Sequence, residues 1–202
     1  MMAITDLKIL LLAAGQSSRM GKPKQLLPVA GITLIERTLK TAIEAIGEGV
    51  YCVLGANAKL IRPIIEDYPV QIVENKNWKD GLGESIATGT AAILKKAPET
   101  KGILILLADQ PWVDGNYLEK IISHFEDHPD AIIASDYGDF YGVPALFAKA
   151  NFEQLKKLEG DSGAKEFLND EAVPVIGVKA PEKLEDIDTP ADYQRFLKSP
   201  HL

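Results

Sequence analysis

The sequence has one cysteine and three histidines among its 202 residues. A single thiol, Cys52, excludes an internal disulfide framework and is typical of a reducing cytoplasm. The histidines His124, His128 and His201 are scattered along the chain, which disfavours a histidine-rich metal centre. Neither a disulfide-stapled scaffold nor a histidine-based metal site is therefore expected.

Long apolar runs and an excess of basic residues are also missing. The longest apolar runs, such as residues 103–108, fall far short of the ~18–20 residues that span a bilayer. The first six residues lack the basic flank and apolar stretch of a secretory signal. The net charge of −7 argues against non-specific binding of nucleic acid. We expect a cytoplasmic protein without a membrane or nucleic-acid partner.

Acidic residues are absent from positions 7–35, although the chain as a whole is acidic. The same segment carries four cations, Lys8, Arg19, Lys22 and Lys24. This asymmetry indicates that a small anion binds near the start of the chain. Chance, with solvated lysines, explains the composition equally well.

The hydrophobic content of 46% and the charged content of 25% are typical of a globular protein. The length favours a single domain over residues 1–202. Short apolar runs predict strands at 8–13, 50–54, 70–73, 102–108, 131–134, 144–147 and 173–178. Helical spacing and capping signals predict intervening helices: one from the Thr33–Glu36 capping box, one after Asn57 that Pro63 kinks or shortens, one at 83–96, one after Asp114, two at 149–158 and 162–169, and one from Thr189.

This alternation predicts an α/β protein with a three-layer α/β/α architecture and a mostly parallel sheet. Ligands of such sheets bind beyond the carboxyl ends of the strands. The residues that follow each predicted strand are therefore the candidate site residues.

The loop after the first strand combines small residues with cations, as an anion-binding loop would. It is not a P-loop, because five residues separate Gly15 from Gly21 and Pro23 stands where Ser or Thr is required. It is not a dinucleotide fingerprint either, because Ser17 replaces the second glycine. A Gly-rich turn with surface lysines is the alternative interpretation.

Two acidic positions follow predicted structural elements near the expected crevice. Asp109 comes directly after the most apolar strand and could hold Mg²⁺, which usually takes one or two carboxylates together with substrate phosphates. Asp188 precedes the helix cap Thr189 and is free to act as a second carboxylate, although Asp186 could fill the same role. Simple turn-forming roles are the alternative for both.

Six segments, in this order, resemble the molybdenum-cofactor nucleotidyltransferases, and especially their molybdopterin cytidylyltransferase branch, which is related to molybdopterin-guanine dinucleotide synthase. They are LLAAGQSSRMGKPKQLL (11–27), WKDGLGESIATG (78–89), LLADQP (106–111), GVPALF (142–147), GDSGAK (160–165) and DIDTP (186–190). The resemblance implies a Rossmann-like nucleotidyltransferase fold. It also implies transfer of CMP from CTP to the phosphate of molybdopterin, with release of pyrophosphate.

The resemblance further implies roles for individual residues. Arg19, Lys24 and Asp109 would be catalytic. Asp109 and Asp188 would bind the metal ion, Mg²⁺. Nucleotide-binding residues would be Ala13, Ala14, Gly15, Ser17, Ser18, Arg19, Met20, Gly21 and Lys24, with Gly81, Gly83 and Ser85 from the second segment. Acceptor-binding residues would be Gly142, Pro144, Asp161 and Lys165. A molybdoenzyme would be the protein partner.

Two positions depart from the family pattern: Glu84 stands where a small polar residue is more usual, and Lys165 replaces an arginine. Alternative hypotheses are a transferase that uses GTP or a sugar or alcohol phosphate, and a non-catalytic protein that carries a nucleotide or cofactor. Arg19 and Lys24 are expected to repel each other until a triphosphate binds.

Overall fold

Strand β1 (Leu7–Ala13) is buried along its whole length in the computed structural model, which describes residues 6–181 and 184–199. Successive side chains of a strand point to opposite faces. Accordingly Ile9 and Leu11 pack in one hydrophobic cluster, whereas Leu10 and Leu12 pack in another. The strand therefore lies within a sheet that is covered on both faces.

The remaining elements follow along the chain. The further strands are β2 (Pro28–Val29), β3 (Ile32–Thr33), β4 (Val50–Leu54), β5 (Val70–Glu74), β6 (Gly102–Leu107), β7 (Ile132–Asp136), β8 (Tyr141–Ala148) and β9 (Val175–Lys179). The helices are α1 (Leu34–Ile46), α2 (Ala58–Ile65), α3 (Leu82–Lys96), α4 (Gly115–Asp127), α5 (Phe152–Leu155), α6 (Lys165–Leu168) and α7 (Pro190–Leu197). None of the helices in the described ranges has the length and apolar character that crossing a bilayer requires.

Seven of these strands form one sheet in the order β5-β4-β1-β6-β8-β7-β9. Strands β5, β4, β1 and β6 are mutually parallel, and β7 is parallel to β9. Only β8 runs antiparallel to its two neighbours in this sheet. The prediction of a mostly parallel sheet is confirmed.

Helices cover both faces of the sheet. Helices α1, α2 and α4 bury their apolar side chains in the cluster that contains Ile9 and Leu11. Helices α3, α5 and α6 do the same on the opposite face with Leu10 and Leu12. A third, smaller cluster joins α7 to the β2–β3 hairpin, through Phe196, Ile187, Leu27, Val29, Leu34 and Met20. The predicted three-layer α/β/α architecture is thus confirmed.

Several local predictions were wrong. The β2–β3 hairpin was not predicted, and its turn places Ala30 and Gly31 at positive φ. The helix predicted at 149–158 consists of a 3-10 turn (Lys149–Asn151) followed by the short α5, and the helix predicted at 162–169 is shortened to α6, with Gly160 and Gly163 at positive φ between α5 and α6. The side chain of Asn57 does not cap α2, although Pro63 does lie in a helix of only eight residues, as expected.

Helix α1 begins with the predicted capping box. The Glu36 carboxylate accepts hydrogen bonds from the Thr33 backbone N–H (2.8 Å) and hydroxyl (2.7 Å), and from the Tyr68 hydroxyl (3.0 Å). Burial opposes ionisation of this carboxyl, but the hydrogen bonds from Thr33 and Tyr68 prevail and hold the pKa of Glu36 below its usual value. The ionised form of Glu36 therefore stabilises the fold.

We expect Glu36→Gln to lower the free energy of unfolding by up to about 1 kcal/mol at neutral pH, because it removes a negative charge from the N-terminus of α1 while Thr33 remains the cap. Since the folded-state pKa is lowered, this contribution is fully present above the ordinary Glu pKa of about 4.3 and is lost as the pH falls through the folded-state pKa. Urea unfolding at neutral and acidic pH measures the difference. Glu44→Gln, at an exposed position of the same helix, is the matched control. Equal losses in both variants would contradict this account.

Candidate active site

The carboxyl ends of β1 and β6 lie side by side at the point where the chain connections diverge. Leu12 pairs with Leu107, and the Ala108 N–H donates to the Leu12 carbonyl over 3.0 Å. From β1 the chain continues through α1 to β4 on one side, and from β6 through α4 to strands on the other side. This arrangement is a topological switch point, where open α/β sheets bind ligands.

A lysine joins two carboxylates at this point. The Lys24 ammonium contacts Oδ2 of Asp109 and lies 2.9 Å from Oδ1 of Asp188. The Arg19 guanidinium lies 2.8 Å from the other oxygen of Asp188. The side chain of Lys24 is only 12% exposed, whereas that of Arg19 is 69% exposed. Lys24 is therefore a largely buried charge, and Arg19 is an exposed one at the rim of the site.

Burial disfavours the charged form of Lys24, but the two carboxylates outweigh it and raise the pKa of the ammonium above its usual value. We expected Arg19 and Lys24 to repel each other in the free protein. In the structure both cations instead pair with Asp188, which offsets that repulsion. Removing Lys24 would leave Asp109 without its cation and Asp188 with only the exposed Arg19. Lys24 thus contributes to the stability of the free protein, which the repulsion hypothesis did not anticipate.

The segment that carries Asp186 and Asp188 is tied to the Asp109 segment through the backbone. Ile187 is buried, and its N–H donates to the Asp109 carbonyl over 2.9 Å. The residues on either side of Ile187 face different surroundings: Asp188 contacts Lys24, while Asp186 lines a neighbouring cavity beside Gln110. Partial desolvation, and next the charge of Asp109, raise the pKa of Asp186 to about 6.

Helix α7 leaves Asp188 free for this contact. Thr189 caps the helix, and its hydroxyl and N–H both donate to the Asp192 carboxylate over 2.7 Å. The side chain of Asp188 is therefore not used as a cap, as the sequence predicted.

The loop after β1 is exposed at Gly15, Ser18 and Gly21 but is held from within. Ser17 adopts φ 59°, and Met20 is buried in the third hydrophobic cluster. Met20 therefore holds the loop to the protein and does not offer its side chain to a nucleotide. Ala13 and Ala14 are also buried, so their backbones rather than their methyl groups border the loop.

The second and fifth motif segments meet through their backbones. A Cβ on Gly81 would lie 2.3 Å from the Gly160 carbonyl carbon, and a Cβ on Gly83 would lie 2.6 Å from the Glu159 nitrogen. The Gly83 N–H donates to the Gly160 carbonyl over 2.8 Å. These glycines are thus required for close packing of two loops. A contact with the nucleotide remains a prediction for both.

Ser85 lies inside the protein. Its residue is 2% exposed, and its hydroxyl accepts a hydrogen bond from the Asn75 amide over 3.0 Å. The side chain is therefore not accessible to a nucleotide in this structure. Its hydrogen bond instead joins α3 to the end of β5.

A cavity of about 320 Å³ lies beside Asp186 and contains two of the four predicted acceptor residues, Gly142 and Lys165. Tyr137 and Phe140 stack with ring centroids 4.8 Å apart, and the Lys165 ammonium lies 4.1 Å from the Phe140 centroid. The rest of the lining is mainly apolar, with Leu12, Leu82, Ile86, Ile105, Leu107 and Val143. The cavity is suited to a flat, largely apolar group next to a charge.

The other two predicted acceptor residues lie elsewhere. Pro144 is buried in β8 and does not line the cavity, and its carbonyl accepts from the Ser135 hydroxyl over 2.7 Å. Asp161 is exposed on the loop before α6 and does not line the cavity either. The resemblance implied that Pro144 and Asp161 contact the acceptor, but neither residue lines this cavity.

The carboxylates of Asp109 and Asp188 form a donor set that suits Mg²⁺. Oδ1 of Asp109 is buried and has no hydrogen-bond partner, so it is free to meet a cation. In the described ranges, no cluster of three or more His, Cys, Asp or Glu side chains is arranged to hold a metal. Two carboxylates completed by substrate phosphates are a usual Mg²⁺ environment.

Some residues of the site were missed by sequence reasoning. Gln25 is buried behind the first loop, and Gln110 extends from the Asp109 segment toward the cavity. Tyr137 and Phe140 form the aromatic wall of that cavity. The sequence did contain a signal for a buried role of Gln25, since this polar residue lies between Lys24 and the buried Leu27. The aromatic pair had none, because it lies in a turn without a motif.

Comparison with known proteins matches residues 9–175 to the MobA-like NTP transferase domain. Purine catabolism protein PucB of Bacillus subtilis (strain 168) is 30% identical, with 93% of this chain and 94% of PucB covered. Nicotine blue oxidoreductase of Paenarthrobacter nicotinovorans is 32% identical, with the same coverage of 93% and 94%.

Among solved structures, Rv0371c from Mycobacterium tuberculosis H37Rv superposes with a TM-score of 0.80 at 31% identity, covering 96% of this chain and 98% of that one. A second structure of Rv0371c, a complex with manganese, has a TM-score of 0.78 at 28% identity, with the same coverage. The family match spans most of the chain, and the fold agrees with it. The chain therefore belongs to the family of the MobA-like NTP transferase domain and is a nucleotidyltransferase.

Proposed function

We propose that the protein transfers CMP from CTP to the phosphate of molybdopterin and releases pyrophosphate. The observation that carries this proposal is the Lys24 ammonium between Asp109 and Asp188, next to an exposed loop of small residues. Such a grouping of cations and carboxylates suits a triphosphate and its metal ion. Residues 1–202 would act as one domain.

In this reaction an oxygen of the acceptor phosphate attacks the α-phosphorus of the nucleotide in line. A new P–O bond forms, and the bond to the bridging oxygen of the pyrophosphate breaks, so that pyrophosphate leaves with the electron pair. No general base is required, because a phosphate monoester has a second pKa of about 6 and is already ionised near neutral pH. Arg19 and Lys24 would neutralise the departing pyrophosphate.

Asp109 and Asp188 would hold Mg²⁺, and the bound ion supplies charge neutralisation at the α-phosphate. Lys24 now directs two of its three N–H donors to the carboxylates, which leaves at most one for the phosphates. We infer that Lys24 turns from the carboxylates to the phosphates when a divalent cation takes its place. The manganese complex of Rv0371c supports a divalent cation in this family.

The cavity beside Asp186 supports a pterin acceptor over a sugar phosphate. Its walls are mainly apolar and include the stacked pair Tyr137 and Phe140, which suits a flat heterocycle better than a polyhydroxylated ring. Lys165 at its rim offers a positive charge for an acidic group of the acceptor. Gly142 lines the same cavity.

The preference for CTP rests on the resemblance to the cytidylyltransferase branch, which residues 12–15 (LAAG), at the start of the loop after β1, share more closely than they share the guanylyl form LAGG. The Ala14 methyl is buried in the hydrophobic cluster with Trp78, and a Cβ on the neighbouring Gly55 would lie 2.9 Å from it. The methyl therefore does not border the loop, and the preference for CTP is supported by the resemblance alone. A cytoplasmic location and a molybdoenzyme partner remain predictions of the resemblance and of the single Cys52.

The proposed reaction is tested by measuring pyrophosphate release with each of the four nucleoside triphosphates, with and without molybdopterin. We expect release to depend on molybdopterin and to be faster with CTP than with GTP by about 10-fold, since one steric element in a pocket is worth about 1–3 kcal/mol. A preference for GTP would overturn the cytidylyl assignment. Nucleotide binding without any release would favour the carrier hypothesis.

We expect Asp109→Asn to fold normally but to lose about 10²–10³ in turnover, the usual effect of removing one electrostatic contact to a developing charge. Asp109 follows a strand and is not part of the hydrophobic core, and Lys24 keeps Asp188 as a partner in the variant. Steady-state rates at saturating Mg²⁺, with thermal melting as a check of folding, measure the effect. Asp67→Asn, at an exposed position, is the control. Near-normal turnover would contradict the metal role.

We expect Lys24→Met to bind Mn²⁺ more tightly than the wild type when no nucleotide is present, by tenfold or more. A unit charge at about 4 Å near a protein surface contributes up to about 4 kcal/mol, and removing Lys24 opens both carboxylates to the metal. Electron paramagnetic resonance titration measures free Mn²⁺ directly. Lys22→Met, an exposed lysine of the same loop, should leave the affinity unchanged. Equal or weaker Mn²⁺ binding by Lys24→Met would contradict the exchange of cations.

A further inference from the structure

The side chain of Gln25 is buried directly behind the first loop, with 2% of the residue exposed. Its amide nitrogen donates to the carbonyls of Gly15 (3.1 Å) and Ala13 (3.4 Å). Its amide oxygen accepts a hydrogen bond from the Ser17 hydroxyl over 3.3 Å. The Gln25 side chain therefore forms hydrogen bonds to residues 13, 15 and 17 of the loop.

Other groups complete this set of contacts on the protein side of the loop. The Asn57 amide donates to the Gly15 carbonyl over 3.4 Å, and the Ala56 N–H donates to the Ala14 carbonyl over 3.0 Å. The three consecutive backbone carbonyls of residues 13–15 thus all accept hydrogen bonds from groups on the protein side of the loop. In the described part of the chain, no partner accepts a hydrogen bond from the N–H groups of Gly15, Gln16 or Ser17. These N–H groups remain available to an anion.

Gln25 also supports the unusual backbone of Ser17. This residue has φ 59°, a left-handed conformation that residues other than glycine seldom adopt. The Ser17 hydroxyl donates to Gln25 and accepts from the Lys24 N–H over 3.1 Å. The conformation of the loop and the backbone of Lys24 are consequently linked through Ser17 and Gln25.

We propose that Gln25 is a positioning residue that holds residues 13–17 in the anion-binding conformation and links that loop to Lys24. Gln25 itself touches no substrate. This proposal rests on the proposed function in one respect: the anion is taken to be the triphosphate of a nucleotide. Since the loop would otherwise sample other conformations, losing Gln25 lowers the fraction of protein that is ready to bind phosphate.

The test uses the full chain and inorganic tripolyphosphate in magnesium buffer, measured by isothermal titration calorimetry. Gln25→Met keeps the length and volume of the side chain but removes all of its hydrogen bonds. We expect it to bind tripolyphosphate about tenfold more weakly, in line with the loss of buried hydrogen bonds. Gln154→Met makes the same substitution at an exposed site and should bind like the wild type.

Kinetics separate positioning from a general structural role. For Gln25→Met we expect KM for the nucleotide to rise about tenfold while kcat at saturation and KM for the acceptor stay near the wild-type values, because nucleotide binding restores the loop. A structural defect would instead lower kcat and the melting temperature together. That result, or tripolyphosphate affinity equal to the wild type, would overturn the proposal.

A second variant keeps the test decisive if Gln25→Met fails to fold. Asn57→Ala removes one donor to the Gly15 carbonyl near the surface, and we expect a loss of tripolyphosphate affinity of about threefold with unchanged melting. Unchanged affinity in Asn57→Ala would then overturn the proposal. A wild type that binds tripolyphosphate but releases no pyrophosphate from any nucleotide would refute the proposed function while the Gln25 inference stands.

Discussion

The ion bridge from Lys24 to Asp109 and Asp188 is the interaction on which the site depends. It joins the loop after β1 to the end of β6 and to the segment before α7, and it spans 164 residues of sequence between Lys24 and Asp188. Each of these segments is also held by an independent contact, as Ile187 is by its hydrogen bond to the Asp109 carbonyl. The two carboxylates are therefore in position before any ligand arrives. Preorganised charge of this kind is the main source of stabilisation in phosphoryl-type transfer.

The same bridge defines two states for the site. In the free protein Lys24 pairs with both carboxylates and Arg19 pairs with Asp188, so neither negative charge is left uncompensated. With metal and triphosphate bound, the positive charges of the ion and the negative charges of the phosphates would replace these contacts without a change in the fold. The exposed Arg19 has room to follow the phosphates, whereas the loop behind it is fixed by Gln25.

Close backbone packing explains how distant segments converge on the cavity side of the site. Gly81 and Gly83 allow the start of α3 to touch the Gly160 loop, where any side chain would collide with main-chain atoms. That contact places the start of α3 beside the loop that leads to Lys165 at the rim of the cavity. The segments 78–89 and 160–165, which resemble a nucleotide motif and an acceptor motif, are thus packed against each other.

The sequence by itself determined the order of strands and helices, the three-layer architecture and the polarity of the loop after β1. Those features are local: apolar runs, capping residues such as Thr33 and Glu36, and an acid-free stretch can be recognised from neighbouring residues alone. Only the tertiary structure decided that Asp188, and not Asp186, contacts Lys24, that Ser85 and Met20 are buried, and that Gln25 supports the loop. These outcomes depend on which side chains meet across the fold, and such pairings are set by the packing of segments that lie far apart in the chain.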